Sequence, residues 1–328
     1  MTNGIPLLRL PDNAIEHVLR HLSEIEIIAL SLLSNRTKQL FKSMSCSIIA
    51  IYAEDPFKVG IVPRVRGVNF TFKDYQVSID NSSPQNIETK VSMNGGPYEF
   101  TYRRPGYRFE EWMSHFFEIF EARNVPVLYF KKKLPDLKSF RKCIRSYWGL
   151  SISEDLNTID IREILKLFSV QKELTLRSNP FSKKIECTTF LHEVYIQNYD
   201  LLYLENWTKI EVDDLLTINA KFLDMDCPTI PERDLNRFIK HWMAGSNPRL
   251  EQLAISFDEG RVLDRSALLR GIEHQVIPDG YERRIPESIT AGTGFKYICG
   301  GCDVFRKDGT RATFLADSYS QFVFLVWS

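Results

Sequence analysis

The stretch FLDMDCPTIPERDLNRFIKHWMAGSNPRLEQLAIS (residues 222–256) reads as strand, helix and strand in one short span. Phe222–Asp226 is a brief run in which apolar and acidic residues alternate. Thr229 and Glu232 then make a capping-box pattern, and Leu235, Phe238, Ile239 and Trp242 recur at helical spacing. Gly245 stands where a left-handed residue ends a last turn, and a second apolar run begins at Leu253. Trp242, on the same stripe as three aliphatic or aromatic neighbours, reads as core rather than as an exposed anchor.

Working outward, the same kind of run begins near Leu128 (VLYF), Leu150 (GLSI), Leu174 (ELTLR) and Val194 (VYIQN), ahead of those at Leu223 and Leu253. Successive runs lie 20 to 30 residues apart, and helical patterns fill several of the gaps. In DIREILKLF (160–168), Asp160 is placed to cap, with Ile161, Ile164, Leu165 and Phe168 inward. Strand–helix units of this length are those of leucine-rich-repeat solenoids. The asparagine ladder of a regular repeat is absent, so the pattern is leucine-rich-repeat-like, with an ordinary α/β sandwich as the alternative. After Gly280 the chain turns to β structure: DVFRKDGTRATFLA (303–316) turns at Asp308-Gly309, and QFVFLVW (321–327) reads as a last strand.

Upstream, FEEWMSHFFEIF (109–120) is a helix with Trp112, Met113, Phe116, Phe117 and Phe120 on one stripe. Residues 47–108 change to a period of two: GVNFTF (67–72) alternates, and residues 89–103 read as a hairpin turning at Asn94-Gly95. The N-terminus is helical again. Pro11-Asp12 suits a helix start, Ala14, Ile15, Val18, Leu19 and Leu22 form its stripe, and Ser23 with Glu26 makes a capping box. Ile25, Ile28, Ala29 and Leu32 line a second helix, and a third starts near Ser34. Three helices in so short a span cannot bury all their apolar faces among themselves. The expected organisation is α+β or α/β: a helical domain at 1–46, a β-rich connector at 47–108, and a strand–helix domain at 109–328 that ends in a β hairpin.

Composition narrows the function. Lys plus Arg and Asp plus Glu are both 42, giving a net charge of +0, without the basic excess of a nucleic-acid-binding protein. Six irregularly placed cysteines do not make a disulfide framework, and no apolar run approaches a membrane span. A reduced cytoplasmic or nuclear protein that contacts proteins is expected. His17 and His21 have the spacing of two zinc ligands, but Val18 stands where a metalloprotease motif needs Glu, and no third ligand suggests itself. CGGC (299–302) is a CxxC pair without the second pair that zinc would need, and its Gly-Gly suggests a tight turn. GTGFKYICGG (292–301) lacks the spacing of a phosphate loop. Asp213 and Asp214 read as a helix start, and Lys131 to Lys133 as a solvated loop. No cofactor is implied.

The segments PLLRLP (6–11) and LSLLSNRTK (30–38) resemble the start and close of an F-box as found in the large nematode group of F-box proteins. Residues 195–255 resemble the F-box-associated (type 2) region of that group, through QN, DDLL, DLN, FIK and GSN in order, and RKDGTRAT (306–313) resembles its end. The resemblance implies a non-catalytic substrate receptor of a ubiquitin ligase. Its F-box would bind a Skp-type adaptor and, through that, a cullin. The family's adaptor contacts correspond here to Leu8, Leu10, Pro11, Ile15, Val18, Leu19, Ile28 and Leu32. The remainder would recruit a protein whose identity and contact residues the sequence does not name. An adaptor-independent interaction scaffold is the alternative, and neither nucleic acid nor membrane is an expected partner.

Overall fold

A computed structural model describes residues 7–22, 24–41, 47–53, 57–62, 68–72, 86–93, 96–103, 107, 109–119, 125–132, 136–144, 146–170, 172–179, 188–207, 209–286, 296–317 and 320–327. The chain forms two compact units: Met1–Trp148 with Ile164–Phe168, and Gly149–Glu163 with Ser169–Ser328.

The first unit opens with helices α1 (Asp12–Leu19), α2 (Glu24–Ser31) and α3 (Asn35–Phe41). Strands β1 (Ser47–Ala53), β2 (Phe57–Val62), β3 (Val68–Phe72), β4 (Asn86–Met93) and β5 (Gly96–Arg103) follow as an antiparallel meander. After α4 (Phe109–Ile119), strand β6 (Val125–Phe130) returns to pair parallel with β1, and α5 (Leu137–Cys143) closes the unit. Residues 109–148 therefore cluster with the N-terminal helices. On α4, Trp112, Met113, Phe116 and Phe117 are buried, as the stripe requires, while Phe120 lies outside the described residues. Ser23 of the expected capping box and the turn at Asn94-Gly95 also lie outside them.

The second unit alternates strand and helix: β7 (Tyr147–Ile152), α6 (Thr158–Leu167), β8 (Glu173–Leu176), α7 (Thr188–Tyr195), β9 (Leu201–Leu204), α8 (Val212–Thr217), β10 (Phe222–Asp226), α9 (Glu232–Ala244) and β11 (Gln252–Ser256). These five strands are parallel and adjacent in sequence order. Their register sets Leu150, Leu174, Leu202, Leu223 and Leu253 in one row, and Ile152, Leu176, Leu204, Met225 and Ile255 in the next. Every member of both rows is at most 3% exposed. The row continues to Phe324, against which Phe238 and Trp242 of α9 stack edge-on, so the helices cover this face. After α10 (Arg265–Leu269), strands β12 (Gln275–Arg284), β13 (Tyr297–Phe305), β14 (Arg311–Asp317) and β15 (Gln321–Trp327) pair antiparallel, and β15 joins β11. The C-terminus is thus four antiparallel strands instead of a single hairpin, with the expected turn at Asp308-Gly309 closing one of its links.

Three sequence expectations are corrected. VYIQN is not a strand: Val194 and Tyr195 end α7, and the strand is the following LLYL (201–204). The β-branched run misled because Leu191, Val194 and Tyr195 also fall at helical spacing, and Val194 and Tyr195 are buried from the helix. Asp160 does not cap α6. Asn157 does, with Oδ1 accepting from the N–H groups of Ile159 and Asp160 at 2.9 and 3.0 Å. Nor does Thr229 cap α9, which starts after Pro231, because proline holds the preceding residue extended. Gly245 ends α9 as expected, at φ +116°.

CGGC is also not a turn. It lies within β13, where Gly300 (φ +66°) and Gly301 (φ +97°) take left-handed conformations opposite a register shift in β12. A Cβ on Gly301 would come within 2.8 Å of the Phe314 carbonyl oxygen, which is backbone and cannot swing aside. Gly301→Ala should therefore lower unfolding stability by about 2–3 kcal/mol, combining backbone strain with the clash. Gly309→Ala, at φ +90° with nothing near its Cβ, supplies the comparison and should cost about half as much in the same denaturant titration.

Candidate functional site

The N-terminal helices hold themselves together before any partner arrives. Ile15 and Leu19 of α1, Ile27 of α2 and Phe41 of α3 form a core, with Leu10, Leu22, Leu30 and Leu40 packed around it. The Pro11 carbonyl accepts from the N–H groups of Ala14 and Ile15 at the start of α1, and Ser34 Oγ accepts from Thr37 N–H at the start of α3. Arg36 of α3 donates to the Leu8 carbonyl at 3.4 Å, tying the 3-10 turn Leu7–Arg9 to the helices. Part of the remaining face is covered from within the unit. Ser31 Oγ and His115 Nε2 of α4 are hydrogen-bonded at 2.8 Å, and Lys38 pairs with Glu118 of α4.

The eight residues named as adaptor contacts divide on this geometry. Ile15 and Leu19 are 4% exposed and Ile28 is 0% exposed, all turned into the chain's own interior. Pro11 is exposed, Val18 is 37% exposed, and Leu8, Leu10 and Leu32 are half-buried at the surface. Leu33, which the helical stripe did not select, is 72% exposed, more than any other large apolar residue described in this segment. Its place in the turn after α2, outside any helical periodicity, hid it from the pattern.

The other sequence candidates resolve differently. The His17 and His21 rings lie 4.7 Å apart and exposed, one on α1 and the other in the turn after it. Among the described residues no three His, Cys, Asp or Glu side chains gather as a metal site. Cys299 is exposed, whereas Cys302 is buried with Sγ 3.0 Å from an Arg265 nitrogen. Asp214 accepts from the Glu211 N–H at the start of α8, and Asp213 faces solvent beside it. A cleft of about 640 Å³ opens between the starts of α8 and α9, but its charges already answer one another. Lys209 pairs with Glu211, and Arg237 lies near Asp213 and Asp234. No helix among the described residues is long and apolar enough to cross a membrane.

Residues 7–48 match the F-box domain model, and residues 190–255 match the model described as F-box associated. The chain carries an F-box followed by an F-box-associated domain. It is also 26% identical over 259 residues to the F-box associated domain-containing protein sdz-33 of Caenorhabditis elegans, covering 77% of this chain and 79% of that protein. No solved structure matches. The F-box match runs from the 3-10 turn into β1, and the F-box-associated match from α7 to β11.

Within the F-box-associated domain the asparagines of the DLN and GSN motifs have structural work. Asn236 Nδ2 donates to the carbonyls of Leu268 and Arg270 at 2.6 and 3.0 Å, closing the end of α10. Asn247 Nδ2 donates to the carbonyls of Leu215 and Ile218 at 3.0 and 2.9 Å, closing the end of α8. Asn219 joins Asn198, and Asn206 reaches the Arg177 carbonyl. A regular ladder is missing from the sequence, yet asparagines still bond one strand–helix unit to the next, from positions that no fixed period reveals.

Proposed function

We propose that this chain is the substrate-recognition subunit of a Skp–cullin–F-box ubiquitin ligase, holding a Skp-type adaptor by its F-box and a protein substrate by its second unit. The observation that carries this is the F-box surface. Its core is already satisfied by Ile15, Leu19, Ile27 and Phe41, yet Val18, Leu33 and Pro11 stay exposed and Leu8, Leu10 and Leu32 are only half-buried. Ile15, Leu19 and Ile28 then serve docking by fixing the helices that present this rim. Apolar side chains kept at the surface of a unit that already supports itself are available for a partner to cover. The ligase gains from proximity, since a bound substrate is held near the charged ubiquitin carrier without chemistry by the receptor itself.

We read the second unit as leucine-rich-repeat-like. Support comes from parallel strands in sequence order, an intervening helix at each step, and one buried leucine row across five strands. Such arrays offer their strand face as a long recognition surface.

Leu10→Ala combined with Pro11→Ala should weaken adaptor binding by about 2 kcal/mol or more, as loss of central contacts does. The measurement is co-purification with the adaptor, with helical content followed by circular dichroism. Undiminished adaptor recovery by the double variant would refute the docking role. A wild-type chain that stays a well-behaved lone monomer beside co-expressed adaptor would favour an adaptor-independent scaffold.

A further inference from the structure

The strand face that the helices leave uncovered has its own rows. Register places Glu173, Leu201, Phe222, Gln252 and Leu325 in one, and Ser151, Thr175, Tyr203, Asp224, Ala254 and Val323 in the next. Beyond these stand Arg177, Glu205 and Asp226, then Ser256 and Gln321. Alternation along each strand turns all of them away from the buried leucine rows. Toward β15 this face is covered, because Phe222, Val323 and Leu325 pack with Ile285 and Ile298, whereas Tyr203, Asp224 and Asp226 are partly exposed.

Charge on this face is unbalanced. Arg177 is committed to Glu205 at 2.7 Å. Among the described residues, neither Asp224 nor Asp226 has a cation within ion-pair distance, and Asp226 accepts only the Asn206 N–H at 3.2 Å. Both carboxylates act on the Tyr203 phenol: its proton is held more tightly through burial and then through Asp226, Glu205 and Asp224, against Arg177. The groups gathered here are an aromatic ring and two carboxylates that have no cation partner among the described residues. All of them are answered by a donor-rich cation.

We propose that this face of β8–β10 takes a basic side chain, lysine or arginine, from an extended segment of a protein ligand, seated against Tyr203 between Asp224 and Asp226. This rests on the receptor reading above and names the chemistry of what the receptor grips. An arrangement kept without its cation should cost the empty protein stability. Burial, then Asp226, pushes the Asp224 carboxyl up to about 6. A raised carboxyl pKa means that stability falls as pH rises through the range between the ordinary value of 3.8 and about 6. The titratable and charged neighbours on the face are Asp226 on its own strand, Tyr203 and Glu205 on and just beyond β9, and Glu173 and Arg177 on and just beyond β8; Ala254 and Val323 bring none.

The test uses the full chain with its adaptor and fluorescein-labelled peptides in which lysine, arginine or glutamate alternates with serine, read by anisotropy. The lysine and arginine peptides should bind, more weakly as salt rises, and the glutamate peptide should not. Asp224→Asn with Asp226→Asn should reduce that binding about tenfold or more while adaptor recovery is unchanged. Asp224→Asn alone should raise Tm at pH 7.5, with the gain disappearing near pH 4, which shows the variant to be folded. Equal binding of lysine and glutamate peptides, or unchanged affinity in the double variant, would overturn the proposal. Lost adaptor with retained basic-peptide binding would remove the ligase role and leave this face standing.

Discussion

Asp303→Ala should destabilise the second unit by about 3–5 kcal/mol, the usual cost of stranding one member of a buried ion pair. Asp303 of β13 is 2% exposed and accepts both NH1 contacts of Arg283, at 2.9 and 3.0 Å. Thr313 donates to the same carboxylate at 2.5 Å, and the Trp327 indole donates to Thr313 at 2.7 Å. Arg283 and Arg311 both lie over the Trp327 ring, 5.1 and 4.8 Å from its centroid. Without the carboxylate, the Arg283 guanidinium keeps the Gly300 carbonyl and the Trp327 ring but loses its carboxylate partner while remaining enclosed. Asp303→Leu with Arg283→Met removes both charges and should recover most of the loss, because the desolvation penalty goes with them. Guanidinium chloride titrations of the single and double variants make the comparison. A loss under about 1 kcal/mol for Asp303→Ala would mean the pair is effectively solvated.

That network was invisible in the sequence, since Arg283, Asp303, Thr313 and Trp327 come from four strands whose pairing no local pattern announces. The strands themselves were legible. VLYF, GLSI, ELTLR, FLDMD and LAIS all became strands, because each short apolar run is too brief for a helix and is bounded by polar residues. VYIQN failed because Val194 and Tyr195 continue the helical stripe that Leu191 begins, and only the neighbouring LLYL decided where the strand lies. Caps failed where a residue three positions before the expected one did the work, as Asn157 does for Asp160, or where a proline fixed the entry, as Pro231 does. At the F-box, the helical stripe found the apolar residues but not their destinations. Ile15 and Val18 lie on the same stripe of α1, yet Ile15 meets Phe41 and Leu19 in the core while Val18 looks outward. A stripe broader than its own core is what a docking helix shows, and only the packing separates support from rim.

Trp242→Ala should be as damaging as Asp303→Ala, by a different route. Trp242 is 0% exposed on α9, edge-on to Phe324 with ring centroids 5.0 Å apart. The Arg306 guanidinium covers its ring at 4.4 Å and donates to the carbonyls of Trp242 and Ser246 at 3.2 and 3.0 Å. One aromatic side chain thus joins α9, β15 and the turn between β13 and β14, and Arg306 adds a second donor to the Trp242 carbonyl, which also accepts the Gly245 N–H, and reaches the Ser246 carbonyl just beyond α9. Burial lowers the Arg306 pKa, and the cation is tolerated there because ring and carbonyls face it. Truncation to alanine opens a cavity and removes the platform under the guanidinium, for an expected loss of about 3–5 kcal/mol. Trp242→Phe keeps a ring in place and gives up an indole N–H that has no acceptor, so it should cost far less. Thermal unfolding separates the outcomes: a drop of about 10 °C for alanine against a few degrees for phenylalanine identifies Trp242 as core. Near-equal melting of alanine variant and wild type would instead mark an anchor for a partner, which the 0% exposure of the ring argues against.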